Sequence, residues 1–144
     1  MHINLAVAAD EELRAAMEQL VPQLTSKPAP SLSDLRALVQ SDCSLLLVAR
    51  DEHNADAIVG AACLTVYRVP TGVRAIIEDV VVDESARGQG IGEALVRRCL
   101  ELARIRGAAA VTLTSNARRE AANRLYLRMG FTLRDTNAYI YKFD

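Results

Sequence analysis

The chain has few aromatic residues and almost no excess of charge of either sign. Its 144 residues include no Trp, four Tyr and two Phe, and 17 basic side chains nearly balance 18 acidic ones. A core with so few aromatic rings must be built from Ala, Val, Leu and Ile. Proteins that bind nucleic acid usually carry a strongly basic face. The near-neutral charge therefore argues against nucleic acid as a partner.

Long apolar runs are missing as well. Charged residues interrupt every hydrophobic stretch before it reaches the roughly 18 residues that a membrane-spanning helix needs. The first residues, Met1 to Asn4, do not begin a basic region followed by an apolar segment, which is the pattern of a secretory signal. We therefore expect a single globular domain over residues 1–144, in the cytoplasm and without a membrane partner.

Cysteine and histidine are also scarce. Cys43, Cys63 and Cys99 are far apart and form no Cys-x-x-Cys pair, so they predict neither a disulfide framework nor a zinc site. Each lies in an apolar stretch and is interpreted as a small buried side chain. A cysteine nucleophile would need a histidine partner, and the chain offers only His2 and His53, the latter in a polar turn. We expect no bound metal.

The order of extended and helical segments predicts an α/β fold with one mixed sheet and about four helices. Extended segments joined by short turns indicate mostly antiparallel pairing, whereas the crossover from Val82 through the third helix indicates one parallel strand–helix–strand unit. Asp10 is expected to cap the first helix, and Ser31 with Asp34 forms a capping box for the second. The predicted strands cover residues 2–8, 45–49, 58–69, 74–82 and 109–114, with a closing hairpin of residues 132–134 and 139–143. The predicted helices cover residues 11–21, 32–39, 91 to near 107, and 119–129.

A glycine-rich segment, Arg87-Gly88-Gln89-Gly90-Ile91-Gly92, joins the strand that ends at Val82 to the third helix. Glycines let backbone amides approach a ligand closely, and the start of a helix favours an anion. Arg87 could add a cationic contact. A Rossmann fingerprint would need glycine where the chain has Glu93, and no Walker Gly-Lys-Ser/Thr follows. The segment is thus either a phosphate-binding loop or a tight turn without a ligand.

Two motifs resemble those of the GCN5-related N-acetyltransferase (GNAT) superfamily. Residues 80–92 are similar to its acetyl-CoA signature, Arg/Gln-x-x-Gly-x-Gly/Ala, and residues 126–131 resemble its late Tyr-x-x-x-Gly-Phe motif. A predicted helix, strand and helix separate the two, as in the family. The resemblance implies the GNAT fold and a transferase of the acyltransferase class, which moves an acetyl group from acetyl-CoA to a primary amine.

The resemblance also implies which residues hold acetyl-CoA. The pyrophosphate would lie on amides of the glycine loop, the pantetheine arm would pair with the strand before it, and the amide of Val80 would polarise the thioester carbonyl. The family often has Asn seven residues before its tyrosine, where this chain has Arg119. Asn116 and Asn123 are both candidates to replace that Asn. The implied binding residues are Val80, Val81, Val82, Arg87, Gly88, Gln89, Gly90, Ile91, Gly92, Glu93, Asn116 and Asn123.

Three residues are candidates for acid–base catalysis. Tyr126 matches the tyrosine that the family places near the coenzyme sulfur, and the resemblance implies that it is the general acid. Glu78 and Asp79 stand side by side before Val80. Successive side chains of a strand point to opposite faces, so only one of the two can face a substrate unless a bulge intervenes. Glu78 is the first choice for the general base and Asp79 the second, with an ion pair to an arginine as its other interpretation.

A coenzyme A-binding module with little or no catalysis is the alternative function. Tyr126 and the paired carboxylates favour the enzyme, because a pure binder needs neither. The acceptor is a small-molecule or peptide amine that the sequence does not identify, since one fold serves many substrates. The resemblance also leads us to expect a homodimer.

Overall fold

The strands and helices of the chain follow one another in the predicted order. The computed structural model describes all 144 residues. The strands are β1 (His2–Leu5), β2 (Ser44–Asp51), β3 (Ala57–Val69), β4 (Gly72–Val82) and β5 (Val111–Leu113). The α-helices are α1 (Glu11–Leu20), α2 (Leu32–Gln40), α3 (Ile91–Ile105) and α4 (Glu120–Arg128), and short 3-10 helices lie at Val21–Gln23 and Glu84–Ala86. None of the helices is both long and apolar enough to cross a bilayer.

Residues 1–114 and 115–144 form two compact units, and the prediction of one domain over the whole chain stays a prediction. The first unit contains a five-stranded sheet in the order β1-β2-β3-β4-β5. The first three pairs are antiparallel and β4 with β5 is parallel. This confirms the predicted mixed sheet and its parallel strand–helix–strand unit.

The predicted closing hairpin is wrong. Residues 131–144 form neither helix nor strand, so segments 132–134 and 139–143 add nothing to the sheet. Alternating apolar residues give a segment the propensity for a strand, but a strand forms only where a neighbouring edge supplies its hydrogen bonds. The last strand of the sheet, β5, is only three residues long and offers a short edge.

Both predicted helix caps are confirmed. The Asp10 carboxylate accepts a hydrogen bond from the Leu13 amide at 2.9 Å. The Ser31 hydroxyl accepts from the Asp34 amide at 3.1 Å, while the Asp34 carboxylate accepts from the Ser31 amide at 2.9 Å. Because these bonds satisfy amides that the first helical turn leaves without partners, they fix where α1 and α2 begin.

Helices pack on both faces of the sheet. On one face the core joins residues of α1 and α2 to residues of β2, β3 and β4: Leu13, Met17, Leu20, Leu35, Leu46, Val48, Ala61 and Val81. The other face carries α3 at Gly60, where an added Cβ would lie 3.3 Å from side-chain atoms of Ile91 and Leu95. Gly60 thus allows α3 to approach the sheet closely, and a bulge lies beside it, where the β2–β3 register shifts.

The three cysteines differ in exposure. Cys99 is buried and Cys63 is half-buried, but Cys43 is exposed, so its predicted burial is wrong. Cys43 lies in the turn between α2 and β2, where its amide donates to the Ser41 hydroxyl at 3.2 Å. Burial raises the pKa of Cys99 to about 12 and is the largest cause that raises the pKa of Cys63 to about 11. Both thiols are therefore protonated at neutral pH, unlike a thiolate nucleophile.

Candidate active site

Strand β4 carries a β-bulge at Asp79 and Val80. Where β3 pairs with β4, Glu78 lies opposite Cys63, and the register then shifts so that two residues of β4 face one residue of β3. Asp79 has a left-handed backbone with φ +52°. Glycine often fills such a bulge position, and Asp adopts it more readily than most residues do. A left-handed residue other than glycine inside a strand marks a candidate site.

The bulge changes which side chains share a face of the sheet. Glu78 pairs with Cys63 and Val81 pairs with Ala61, so Glu78 and Val81 lie on one face although regular alternation would separate them. That face carries α1 and α2, because Val81 packs against their side chains. Glu78 and Asp79 are both exposed. Burial is the largest cause of the raised pKa of Cys63, and the negative charges of Asp79 and Glu78 raise this pKa further. Both carboxylates therefore lie near this thiol.

The glycine loop leaves open space in front of the start of α3. Gly88 and Gly90 have φ of +77° and +78°, and an added Cβ at either would meet nothing within 4 Å. Gly90 is the N-cap of α3, and no side chain caps this helix. The first amides of the helix, those of Ile91, Gly92 and Glu93, have no acceptor inside it. Together with the helix dipole they form a site suited to an anionic group such as a phosphate.

Side chains of the loop are held by the protein itself. The Arg87 Nε donates to the carbonyl of Val82 at 3.0 Å, so its guanidinium lies back against the end of β4. The Glu93 carboxylate accepts from the Arg97 guanidinium at 2.6 Å, while Gln89 is exposed. With these side chains engaged, the backbone amides of the loop are the groups left open to a ligand. A direct contact between Arg87 and a phosphate stays a prediction.

Asp83, directly after β4, was not among the residues predicted from the sequence. It is only 5% exposed and accepts hydrogen bonds from the Ser85 hydroxyl and amide at 2.6 and 2.9 Å. It also accepts from the side-chain amides of Gln19 at 2.5 Å and Gln23 at 3.1 Å. These bonds, those from Ser85 first, lower the pKa of Asp83 to about 2. An aspartate two residues before a serine predicts a local turn, so the bonds to Ser85 have a signal in the sequence. The bonds from the two glutamines have none, because those residues are more than fifty positions away in the chain.

The second unit contains Tyr126, on α4. Its side chain is 7% exposed, and its ring packs edge-to-face against Phe131 with a centroid distance of 5.8 Å. Burial raises the pKa of the Tyr126 phenol, and the positive charge of Arg119 opposes this more weakly. The phenol is therefore protonated at neutral pH and can donate a hydrogen bond or a proton.

Both candidate asparagines hold the turn that precedes α4. The Asn123 side-chain amide donates to the backbone carbonyl of Asn116 at 3.1 Å. The Asn116 side-chain carbonyl accepts from the Arg118 amide at 2.9 Å. Each side chain thus has a structural task, and the implied contact of either one with coenzyme A stays a prediction.

Known proteins are similar to this chain in both sequence and fold. Residues 10–131 match the model of the Acetyltransferase (GNAT) family. The chain is 36% identical over 125 residues to a probable glucosamine 6-phosphate N-acetyltransferase 2 of Oryza sativa subsp. japonica, an alignment that covers 83% of this chain and 72% of that protein. It is 42% identical over 77 residues to the glucosamine 6-phosphate N-acetyltransferase of Trypanosoma brucei brucei, which covers 51% of this chain and 50% of that protein.

A solved structure agrees with these matches. A Trypanosoma brucei acetyltransferase superposes with a TM-score of 0.77 at 27% identity, covering 98% of this chain and all of that one. The mixed sheet with its parallel unit and the glycine loop at the start of α3 match what the resemblance implied. The chain belongs to the acetyltransferase (GNAT) family.

Proposed function

We propose that this acetyltransferase moves the acetyl group of acetyl-CoA to the primary amine of a small molecule. One observation carries the proposal: two left-handed glycines lead into the uncapped start of α3, with open space in front of them. Such a cluster of backbone N–H groups suits the pyrophosphate of coenzyme A. The thioester of acetyl-CoA supplies the activated acetyl group, and the residues of this chain bind it and move the protons.

The coenzyme would be held mainly by the backbone. In the proposal the amides from Arg87 to Glu93 bind the pyrophosphate, and the end of β4, Val80 to Val82, pairs with the pantetheine arm. The amide of Val80 donates to the thioester carbonyl oxygen and stabilises the charge that develops there. The bulge supports this assignment because it redirects the backbone of β4 just before the glycine loop. Asn116 and Asn123 remain the candidates for a further contact.

In the proposed reaction, Glu78 and Tyr126 move the protons. The amine nitrogen attacks the thioester carbonyl carbon, so that a C–N bond forms and the C–S bond breaks. Glu78 takes the proton that the nitrogen loses, and Tyr126 gives its phenol proton to the departing thiolate. Solvent then removes the proton from Glu78 and returns one to Tyr126. Asp79 is assigned to the bulge, because its left-handed backbone shapes the strand there.

Two matched substitutions separate the carboxylates. We expect Glu78→Gln to lower kcat by about 100-fold with little change in the KM for acetyl-CoA, as for loss of one general base. Asp79→Asn should keep kcat within about threefold, because Asn also tolerates the left-handed conformation. Steady-state rates with an accepted amine test both variants. A large loss in Asp79→Asn together with a small one in Glu78→Gln would instead make Asp79 the base.

For the acceptor we propose an amino sugar, and glucosamine 6-phosphate is the first to assay. The two relatives compared above are named for this substrate. The exposed carboxylates of Glu78 and Asp79 also attract a protonated amine. Mass spectrometry after incubation with acetyl-CoA should show acetylated glucosamine 6-phosphate and no acetylated glucose 6-phosphate, the control that lacks the amine. Acetyl transfer to other amines but not to this one would overturn the assignment of the acceptor.

We also propose a homodimer. Five large apolar side chains near the C-terminus are 81–95% exposed: Leu133, Tyr139, Ile140, Tyr141 and Phe143. Large apolar side chains this exposed are candidates for an interface, and in the proposal a second copy of the chain covers them. Sedimentation at micromolar concentration should give a dimer, and replacing the two tyrosines and the phenylalanine with serine should give a monomer. A wild-type monomer would contradict the proposal.

A cytoplasmic location stays a prediction, supported by three free cysteines.

A further inference from the structure

Asp83 and Gln23 connect the region after α1 to the entrance of the glycine loop. Asp83 is a buried charged residue, and its carboxylate accepts hydrogen bonds from Gln19 and Gln23 as well as from Ser85. Its amide donates to the carbonyl of Val59 on β3 at 2.8 Å. Asp83 is thus held by the two glutamines, by Ser85 and by β3. It lies four residues before Arg87 in the chain.

Gln23 uses both ends of its side-chain amide. The nitrogen donates to Asp83, and the oxygen accepts from the backbone amide of Glu84 at 2.9 Å. The same oxygen lies 3.5 Å from a guanidinium nitrogen of Arg87, whose Nε donates to the carbonyl of Val82. One glutamine therefore contacts the backbone and side chains on both sides of the turn that leads into the loop.

We propose that Gln23 and Asp83 are positioning residues for coenzyme binding. By fixing residues 83–87 they hold the following amides in their binding arrangement before the coenzyme arrives, and such preorganisation increases affinity. The proposal rests on the proposed function, because it assigns the glycine loop to coenzyme A. Neither residue touches the coenzyme in this account, so their loss affects binding and leaves the chemical step intact.

The first test is Gln23→Leu, which removes every hydrogen bond of the Gln23 side chain, including the one it donates to the carbonyl of Gln19 at 3.1 Å, and keeps much of the side-chain volume. We expect its Kd for acetyl-CoA, measured by calorimetry, to rise about 3–10-fold, the worth of one to two hydrogen bonds. At saturating acetyl-CoA, kcat should stay within about twofold. Gln40→Leu is the matched control, because Gln40 is exposed at the end of α2. Its Kd should equal that of the wild type.

A double-mutant cycle with Asp83→Asn tests whether the two residues act through their mutual bond. Asn presents an amide nitrogen to the Gln23 nitrogen and so removes the acceptor, while its carbonyl can still accept from Ser85. Because Gln23 also holds Glu84 and Arg87 independently of Asp83, we expect the double variant to lose affinity for acetyl-CoA by less than the product of the two single losses. Two independent, multiplying losses would contradict a shared network. Should one variant fail to fold, the other still tests the effect on Kd.

Three results distinguish this inference from the proposed function. A wild-type chain that does not bind acetyl-CoA overturns the proposed function itself. Wild-type binding with an unchanged Kd in Gln23→Leu and a lower melting temperature overturns only the inference, because the contact would then be merely structural. A kcat that falls at saturating acetyl-CoA would also overturn it, since a positioning role in binding leaves the chemical step unchanged.

Discussion

Gly90→Asp should abolish detectable acetyl-CoA binding in calorimetry while the chain still folds. The fold should survive because an added Cβ at this position meets nothing within 4 Å, and Asp tolerates the left-handed φ of +78° better than most residues. The new carboxylate would lie at the start of α3, where the proposal places the pyrophosphate. It would repel that group and compete for the same amides.

Gly90→Asn is the matched control for this substitution. It has nearly the same shape and the same tolerance of the left-handed region, but no charge. We expect it to weaken acetyl-CoA binding far less than Gly90→Asp does, with similar melting temperatures for the two variants. Wild-type affinity in Gly90→Asp would show that the loop does not bind the coenzyme.

Tyr126→Phe should lower kcat by roughly 10²–10⁴-fold, as for loss of a positioned general acid, and leave the Kd for acetyl-CoA nearly constant. The phenylalanine keeps the ring that packs against Phe131, so the melting temperature should change little. Tyr139→Phe is the control, because it removes a phenol in the C-terminal segment and keeps the apolar ring that the proposed dimer would cover. Its kcat should equal that of the wild type.

The dependence of kcat on pH gives a second readout for Tyr126. Burial raises the pKa of this phenol above its usual value near 10. The acid form therefore persists through neutral pH and is lost only as the pH rises through that raised pKa. The wild-type kcat should fall along this alkaline limb, whereas Tyr126→Phe should lack it. Full activity of Tyr126→Phe would remove the residue from the mechanism and leave only the binding part of the account.

Features encoded by neighbours in the chain could be predicted from the sequence. The caps at Asp10 and Ser31 depend on partners three residues away, and the structure shows both. The turn into α3 depends on glycines that can adopt left-handed conformations, as Gly88 and Gly90 do. In each case the residues that make the feature lie within one helical turn, so a short pattern is enough.

Features that depend on distant partners could not be predicted in the same way. The bulge at Asp79 is a matter of register between β3 and β4, and a pair of acidic residues in an apolar strand gave only a hint of it. Asp83 was missed because Gln19 and Gln23 become its neighbours only in the fold. The predicted C-terminal hairpin failed for the related reason that an alternating pattern does not supply a pairing edge.

A residue that precedes an apolar segment of the sequence is not always buried. Cys43 follows the end of α2 and precedes the buried strand β2, yet it is exposed because the chain turns there. Periodicity assigns a face only inside a regular element. In a turn, the exposure of a side chain depends on the local path of the backbone, which the sequence pattern does not describe.

The central claim is that the loop between β4 and α3 binds acetyl-CoA, and a thermal-shift comparison of four ligands tests it most directly. The wild-type chain is melted alone and with acetyl-CoA, coenzyme A, ATP or NAD at equal concentrations. Because a ligand that binds only the folded state raises the melting temperature, acetyl-CoA and coenzyme A should raise it clearly, and ATP and NAD should have little effect. A rise with ATP or NAD and none with acetyl-CoA would contradict the account.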